Sequence, residues 1–245
     1  MKREKLAAAF FAAVIVLGLA EAASAVDGTI EINQAKANAA GGLPYNITAS
    51  ESYRLTGNLT VPTGFTGILV NASQVVIDLN GFSIIGPGGG ANGITANSGF
   101  VETTVENGTI TGMGQGISLK DNSIVKSVHV DSNTSDGITV GNNSVVEGCT
   151  ANSNTNSNGI VCAGSGCTIS GNTANGNSFG IVANGSGSVI LHNALNNNQF
   201  FGITATDKTT GYGENVLNTS NSVIISSGTS MKNNVCTTSF GTVIC

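Results

Sequence analysis

A Gly-Ile pair recurs at Gly116-Ile117, Gly137-Ile138, Gly159-Ile160, Gly180-Ile181 and Gly202-Ile203, with successive glycines 21, 22, 21 and 22 residues apart. Gly93-Ile94 stands 23 residues before the first of these, and Gly67-Ile68 a further 26 before that. A fixed period in this range marks a solenoid, in which each repeat buries its apolar face against its neighbours. A second column keeps the same beat. Asn107, Val128, Cys149, Asn172, Asn193 and Asn215 are spaced 21, 21, 23, 21 and 22, and Asn80 precedes Asn107 by 27.

Each period holds three short apolar runs broken by small polar residues. In one they are Ile160-Val161-Cys162, Cys167-Thr168-Ile169 and Asn172-Thr173-Ala174; in the next, Ile181-Val182-Ala183, Val189-Ile190-Leu191 and Asn193-Ala194-Leu195. No run has helical spacing. The leucine-rich consensus and the calcium-binding nonapeptide pattern are both absent. The remaining solution is an all-β, single-stranded parallel β-helix of seven to eight coils of ~22 residues, rising ~4.8 Å per coil. Residues one period apart then lie on top of each other. Ile117, Ile138, Ile160, Ile181 and Ile203 form an interior stack, and each preceding glycine takes a bend that a Cβ would crowd. Asn107, Asn172, Asn193 and Asn215 form an amide ladder, interrupted by Val128 and Cys149.

Only 9% of residues are charged and 5% aromatic, but 40% are hydrophobic. That hydrophobicity separates the chain from disordered sequences. The net charge is −5. The first 25 residues carry three bases and two acids, so removing them leaves −5 − 1 = −6. No basic patch exists for nucleic acid or an anionic membrane surface. Lys2, Arg3 and Lys5, the apolar run from Leu6 to Ala20, and Ala23-Ser24-Ala25 form an export signal with cleavage after Ala25. The run is shorter than the roughly 20 residues of a membrane span. The mature product is therefore expected outside the cytoplasm, with no membrane span.

Residues 26–52 are expected to cap the N-terminal end of the solenoid. Ile30 and Ile32 alternate as in a strand, Asn33 opens a short helix, and Gly41-Gly42 stops it. The β-helix proper is assigned to 53–220 and a C-terminal cap to 221–245.

With these segments in place, the chain resembles bacterial secreted proteins of the right-handed parallel β-helix family, in the pectate-lyase-like superfamily. The resemblance is carried by DGTIEINQA, SYRLTGNLTVP, VVIDLNGFSIIGP, VENGTITGMGQGI, the GNTANGN type of coil and the ending NVC…IC. It implies the fold across nearly the whole mature chain. The superfamily includes pectate lyases, polygalacturonases and other polysaccharide enzymes, but also catalytically silent adhesins and scaffolds, so it implies no one reaction.

Export permits disulfides among the five cysteines. Cys162 and Cys167 flank a tight turn, and Cys236 and Cys245 flank the last loop; both pairs are expected to be bridged. Cys149 is left as a small buried residue.

The search for chemistry yields little. Asp131 is the first catalytic candidate, with Asp136 beside it, but the positions one and two periods after Asp131 are Asn152 and Asn175. A column that swaps acids for amides is wrong for a multi-carboxylate calcium site, which leaves at most a weak calcium site at Asp121 or Asp136 and no other cofactor. Asp78, Glu106 and Glu147, separated by 28 and 41, share no pitch as an acid pair. Glu147 and Lys126, 21 apart, read as a surface ion pair. His129 and His192 lie three coils apart, roughly 14 Å, too far for a proton relay. Gln115, Asp136, Asn158, Phe179 and Phe201 hold one position in successive coils, Phe200 standing beside Phe201. A polar strip ending in stacked aromatics is the candidate ligand site, with a polysaccharide or cell-surface glycan as its partner. The reading is an exported scaffold, a non-catalytic surface, matrix or carbohydrate-binding protein; the alternative is a polysaccharide lyase or glycoside hydrolase.

Overall fold

The structure, a computed structural model, describes residues 28–219, 225, 227–238 and 241–243. The export signal expected at 1–25 and Cys245 lie outside the described residues.

The chain winds into a parallel β-solenoid. Eight strands, from Tyr45–Ile47 through Ile68–Val70, Ile94–Ala96 and Ile138–Val140 to Phe201–Ala205, pair in parallel as one sheet. Ile225 adds a ninth level by a bridge to Ile203. A longer sheet stacks Thr29–Ile32, Ser52–Leu55, Val75–Asp78, Thr103–Thr111, Ile124–Asp131 and the strands that follow to Thr229–Ser230. The solenoid thus has about nine levels, more than the seven to eight expected. The additional level comes from the N-terminal segment: Thr29–Ile32 pairs with Ser52–Leu55, and Tyr45–Ile47 with Ile68–Val70. The short helix Gln34–Ala39 joins those two strands. Asn33 caps it, its side chain accepting a hydrogen bond from Lys36 N, and Ala37 is buried beneath it. At the other end Gly241–Val243 folds back antiparallel on Val235–Thr238.

The isoleucine stack is in register from end to end. Ile68, Ile94, Ile117, Ile138, Ile160, Ile181 and Ile203 are successive partners and all wholly buried. Burial of each contributes roughly 2 kcal/mol.

The glycine before each isoleucine is required by what lies opposite. A Cβ on Gly137, Gly159 or Gly180 would stand 2.7–2.8 Å from the side-chain nitrogen of Asn154, Asn177 or Asn198, and 2.5–2.7 Å from the next coil's glycine carbonyl. Those asparagines form a second buried amide ladder, beyond the one expected from the sequence. Asn133 donates to Asn154, Asn154 to Asn177 and Asn177 to Asn198, at 3.0, 3.2 and 3.4 Å.

The other interior ladder is the expected one with a correction. Asn172, Asn193, Asn215 and Asn234 are linked Nδ2 to Oδ1 at 3.0–3.2 Å, and Cys149 N donates to Asn172 Oδ1. Asn107 is not a member. Its neighbour Gly108 pairs with Val128 in that column, while Asn107 is exposed in a left-handed conformation (φ 59°) and donates to Asp78. The shared pitch hid a one-residue offset.

Cys162 and Cys167 form a disulfide across the interior of a turn, with Cα atoms 6.3 Å apart. Cys236 is buried, and the Cys245 expected to pair with it is outside the described residues. Cys149 is a free thiol pushed up to about 11 by burial.

Asn193→Ala is expected to cost about 2–3 kcal/mol in denaturant unfolding, because Asn172 loses its acceptor inside the core. Asn107→Gly, which keeps the left-handed turn, should stay within about 0.5 kcal/mol.

Candidate functional site

The column proposed from sequence is physically continuous. Asn158 pairs with Phe179 and Phe179 with Phe201 in the eight-stranded sheet. The next coils back are joined by Gly137 N to Asn158 O and Gly116 N to Asp136 O. The column lies just before the glycine bend, where the side chain leaves the core and faces outward. Phe179 and Phe201 stack with ring centroids 5.9 Å apart and planes 7° from parallel. Phe200, 42% exposed, tilts toward Phe179 at 5.3 Å. The three rings form a partly exposed aromatic surface of the kind that accepts a flat, weakly polar ligand face.

Below the rings the strip is a continuous hydrogen-bond network. Asn158 donates to Asp136 from its side chain at 2.8 Å and from its backbone at 3.2 Å. Ser157 Oγ donates to the same oxygen, and Thr139 Oγ1 to the other at 3.3 Å. Gln115 Nε2 in turn donates to Thr139 Oγ1 at 2.7 Å. Thr139 and Ser157, which sequence reasoning missed, are what fix Asp136.

Asp131 and Asp121 are used in the same way. Asp131 accepts Asn152 N at 3.0 Å, and its carboxyl sits above the ordinary value because burial raises it, against the opposing effects of the Asn152 bond and His129. Asp121 accepts both the backbone and side-chain nitrogens of Asn142. Each of these aspartates therefore holds the asparagine of the following coil. Among the described residues no three His, Cys, Asp or Glu side chains are grouped to hold a metal ion.

One acidic pair departs from expectation. Asp78 and Glu106, which spacing had separated, are direct register partners in the long sheet. The 28-residue interval contains the Gly86–Gly90 loop as an insertion, so pitch in sequence and pitch in space differ there. Arg54 pairs with Asp78 at 3.1 Å and Lys126 with Glu106 at 2.7 Å. Lys126 is in register with Glu147 as expected, yet its contact is with Glu106. This charged row runs along the long sheet. His192 meets Glu214 on the surface, away from His129.

The family whose description is "Right handed beta helix region" matches residues 47–200, and the chain belongs to it. No curated protein matches the sequence. Among solved structures, the Dettilon tailspike protein (gp208) matches with a TM-score of 0.53 at 9% identity, over 84% of this chain. This chain spans 57% of that protein's chain. At that identity the likeness is one of fold. No helix among the described residues is long and apolar enough to cross a membrane.

The raised Asp131 carboxyl gives a signed expectation. Its folded value exceeds its unfolded one, so stability falls as pH rises from the ordinary 3.8 through the raised value, and the penalty is complete at neutral pH. Asp131→Asn keeps the acceptor for Asn152 and removes the charge. Its thermal midpoint at pH 7 should rise by about 1–2 °C, with the gain vanishing in melts below pH 3.5 or so.

Proposed function

We propose that the protein is an exported, non-catalytic scaffold that binds carbohydrate on the outer face of the eight-stranded sheet. The observation that carries this reading is the Phe179–Phe200–Phe201 surface standing in one column with Asn158, Asp136 and Gln115. Aromatic rings offer area to the C–H faces of sugars, and the bordering amides and hydroxyls match sugar hydroxyls. Export rests on the sequence of residues 1–25. The non-catalytic part is supported by the use made of the carboxylates. Asp131 and Asp136, the two candidates for catalysis, are held as acceptors for the next coil. A general acid or base needs a group free to exchange its proton with substrate.

The second reading, a polysaccharide lyase or glycoside hydrolase, draws on the Asp78–Glu106 pair. These two carboxyls lie one rung apart beside Lys126, and their side chains are only 17% and 18% exposed. Both are already engaged by cations, Arg54 on Asp78 and Lys126 on Glu106, which favours a structural row over an acid–base pair facing substrate. Release of reducing or unsaturated ends from a polysaccharide, lost in Glu106→Gln, would establish this second reading.

For the binding reading, Phe179→Ala should weaken retention on a glycan array or in affinity electrophoresis by about tenfold or more, with the melting curve preserved. Unchanged retention would remove the aromatic surface from the site.

A further inference from the structure

The aromatic surface has a counterpart at the other end of the same corner. Phe65 stands three residues before Ile68, as Phe200 stands three before Ile203. Both are exposed, at 49% and 42%. Between them the isoleucine stack makes six steps, so the two rings are separated by ~29 Å along the solenoid axis at ~4.8 Å per rung. Phe65 also walls a groove of about 290 Å³ lined by Gln34, Asn38, Gly42, Leu43 and Pro62. Gln34 accepts Thr60 N and donates to Asn38, which fixes an amide pair at the groove's edge. An aromatic wall beside fixed amides repeats the chemistry found around Phe179.

The column joining the two stations is Thr66, Asn92, Gln115, Asp136, Asn158 and Phe179. Its single charge, Asp136, already accepts Ser157, Asn158 and Thr139. The path is therefore hydroxyl and amide in character. A polyanionic chain would meet an acidic protein there with no cation in the column to receive it.

Building on the carbohydrate reading, we propose that the ligand is a neutral, extended polysaccharide that lies along the solenoid axis and engages Phe65 and the Phe179–Phe200–Phe201 surface together. An extended β-1,4-linked chain advances about 5 Å per sugar, close to the rung spacing. About six sugars then bridge the two stations. Two linked contacts bind as one molecule with a high effective concentration, so affinity should climb steeply once the chain is long enough to reach both.

The test is calorimetric titration of the full chain with β-1,4-linked gluco-, manno- and xylo-oligosaccharides of two to seven sugars. One series should bind the native protein at least tenfold more tightly at six or seven sugars than at four. Phe65→Ala should abolish that rise while binding of the shortest ligands and the melting curve stay unchanged; Phe179→Ala should weaken short and long ligands alike. Binding with no length dependence, or a rise that survives Phe65→Ala, would overturn the two-station proposal and leave the aromatic surface standing. If none of the three series binds at millimolar concentration, the axial neutral polymer is overturned, and the carbohydrate reading then stands or falls with the broader glycan array.

Discussion

Every residue in this molecule has to satisfy its own counterpart one rung away. The backbone does so through parallel pairing, and isoleucine does so by packing on isoleucine. Buried polar side chains face the harder case, because an unmatched donor or acceptor in the core costs about 1–3 kcal/mol. Asparagine solves it, since its amide carries both a donor and an acceptor and can repeat indefinitely. The two interior ladders run on this property, each amide donating to the oxygen of the coil that follows. The ladder and the Gly-Ile landmark are one device. The asparagine nitrogens of one corner occupy the space that a glycine Cβ would take, so the glycines recur with the ladder.

On the outside the bonds run the other way. Asn152, Asn142 and Asn158 donate backward, to Asp131, Asp121 and Asp136. The first member of such a row only has to accept, and a carboxylate does nothing else. This explains why three aspartates fall within one coil and why amides replace them afterwards. It also divides the molecule. The earlier rungs of the long sheet carry a charged row from Glu31 through Arg54, Asp78, Glu106 and Lys126 to Glu147, and in the later rungs the same row continues uncharged as Ser170, Leu191 and Gly213. An aspartate held at the head of an amide row is poorly placed for acid–base work.

The sequence made most of the fold legible because the main columns keep their pitch. The isoleucine stack, the glycine before it, the Asn33 cap and the Cys162–Cys167 bridge were all visible as spacing or local pattern. What failed did so for local reasons. Asn107 shares the pitch of the ladder but occupies a left-handed corner, and a period alone does not distinguish a position from its neighbour. Asp78 and Glu106 were separated by an inserted glycine loop that adds residues without adding a rung. The ladder from Asn133 to Asn198 keeps intervals of 21, 23 and 21 yet was lost among the many other asparagines. In the candidate site, Gln115, Asp136, Asn158, Phe179 and Phe201 were legible as one column. Thr139 and Ser157 were not: Thr139 lies three residues after Asp136 in the same coil, and Ser157 keeps the pitch at 21 residues but stands beside the column member Asn158. Phe65 was hidden by the same long intervals that displaced Asp78.

A solenoid imposes one more condition on whatever it binds. Its outer columns repeat the same direction and nearly the same chemistry every ~4.8 Å, so a contact made at one rung is offered again at the next. A compact ligand gains little from that repetition, since it covers one or two rungs. A polymer with a comparable repeat gains at each rung it covers, even when each contact is weak. In the proposed binding mode the break from amides to stacked phenylalanines at Phe179 is an end stop with larger contact area, and Phe65 does the same five rungs earlier. Between these ends weak polar contacts would suffice, because a chain engaging both aromatic stations would be held in place over the intervening column.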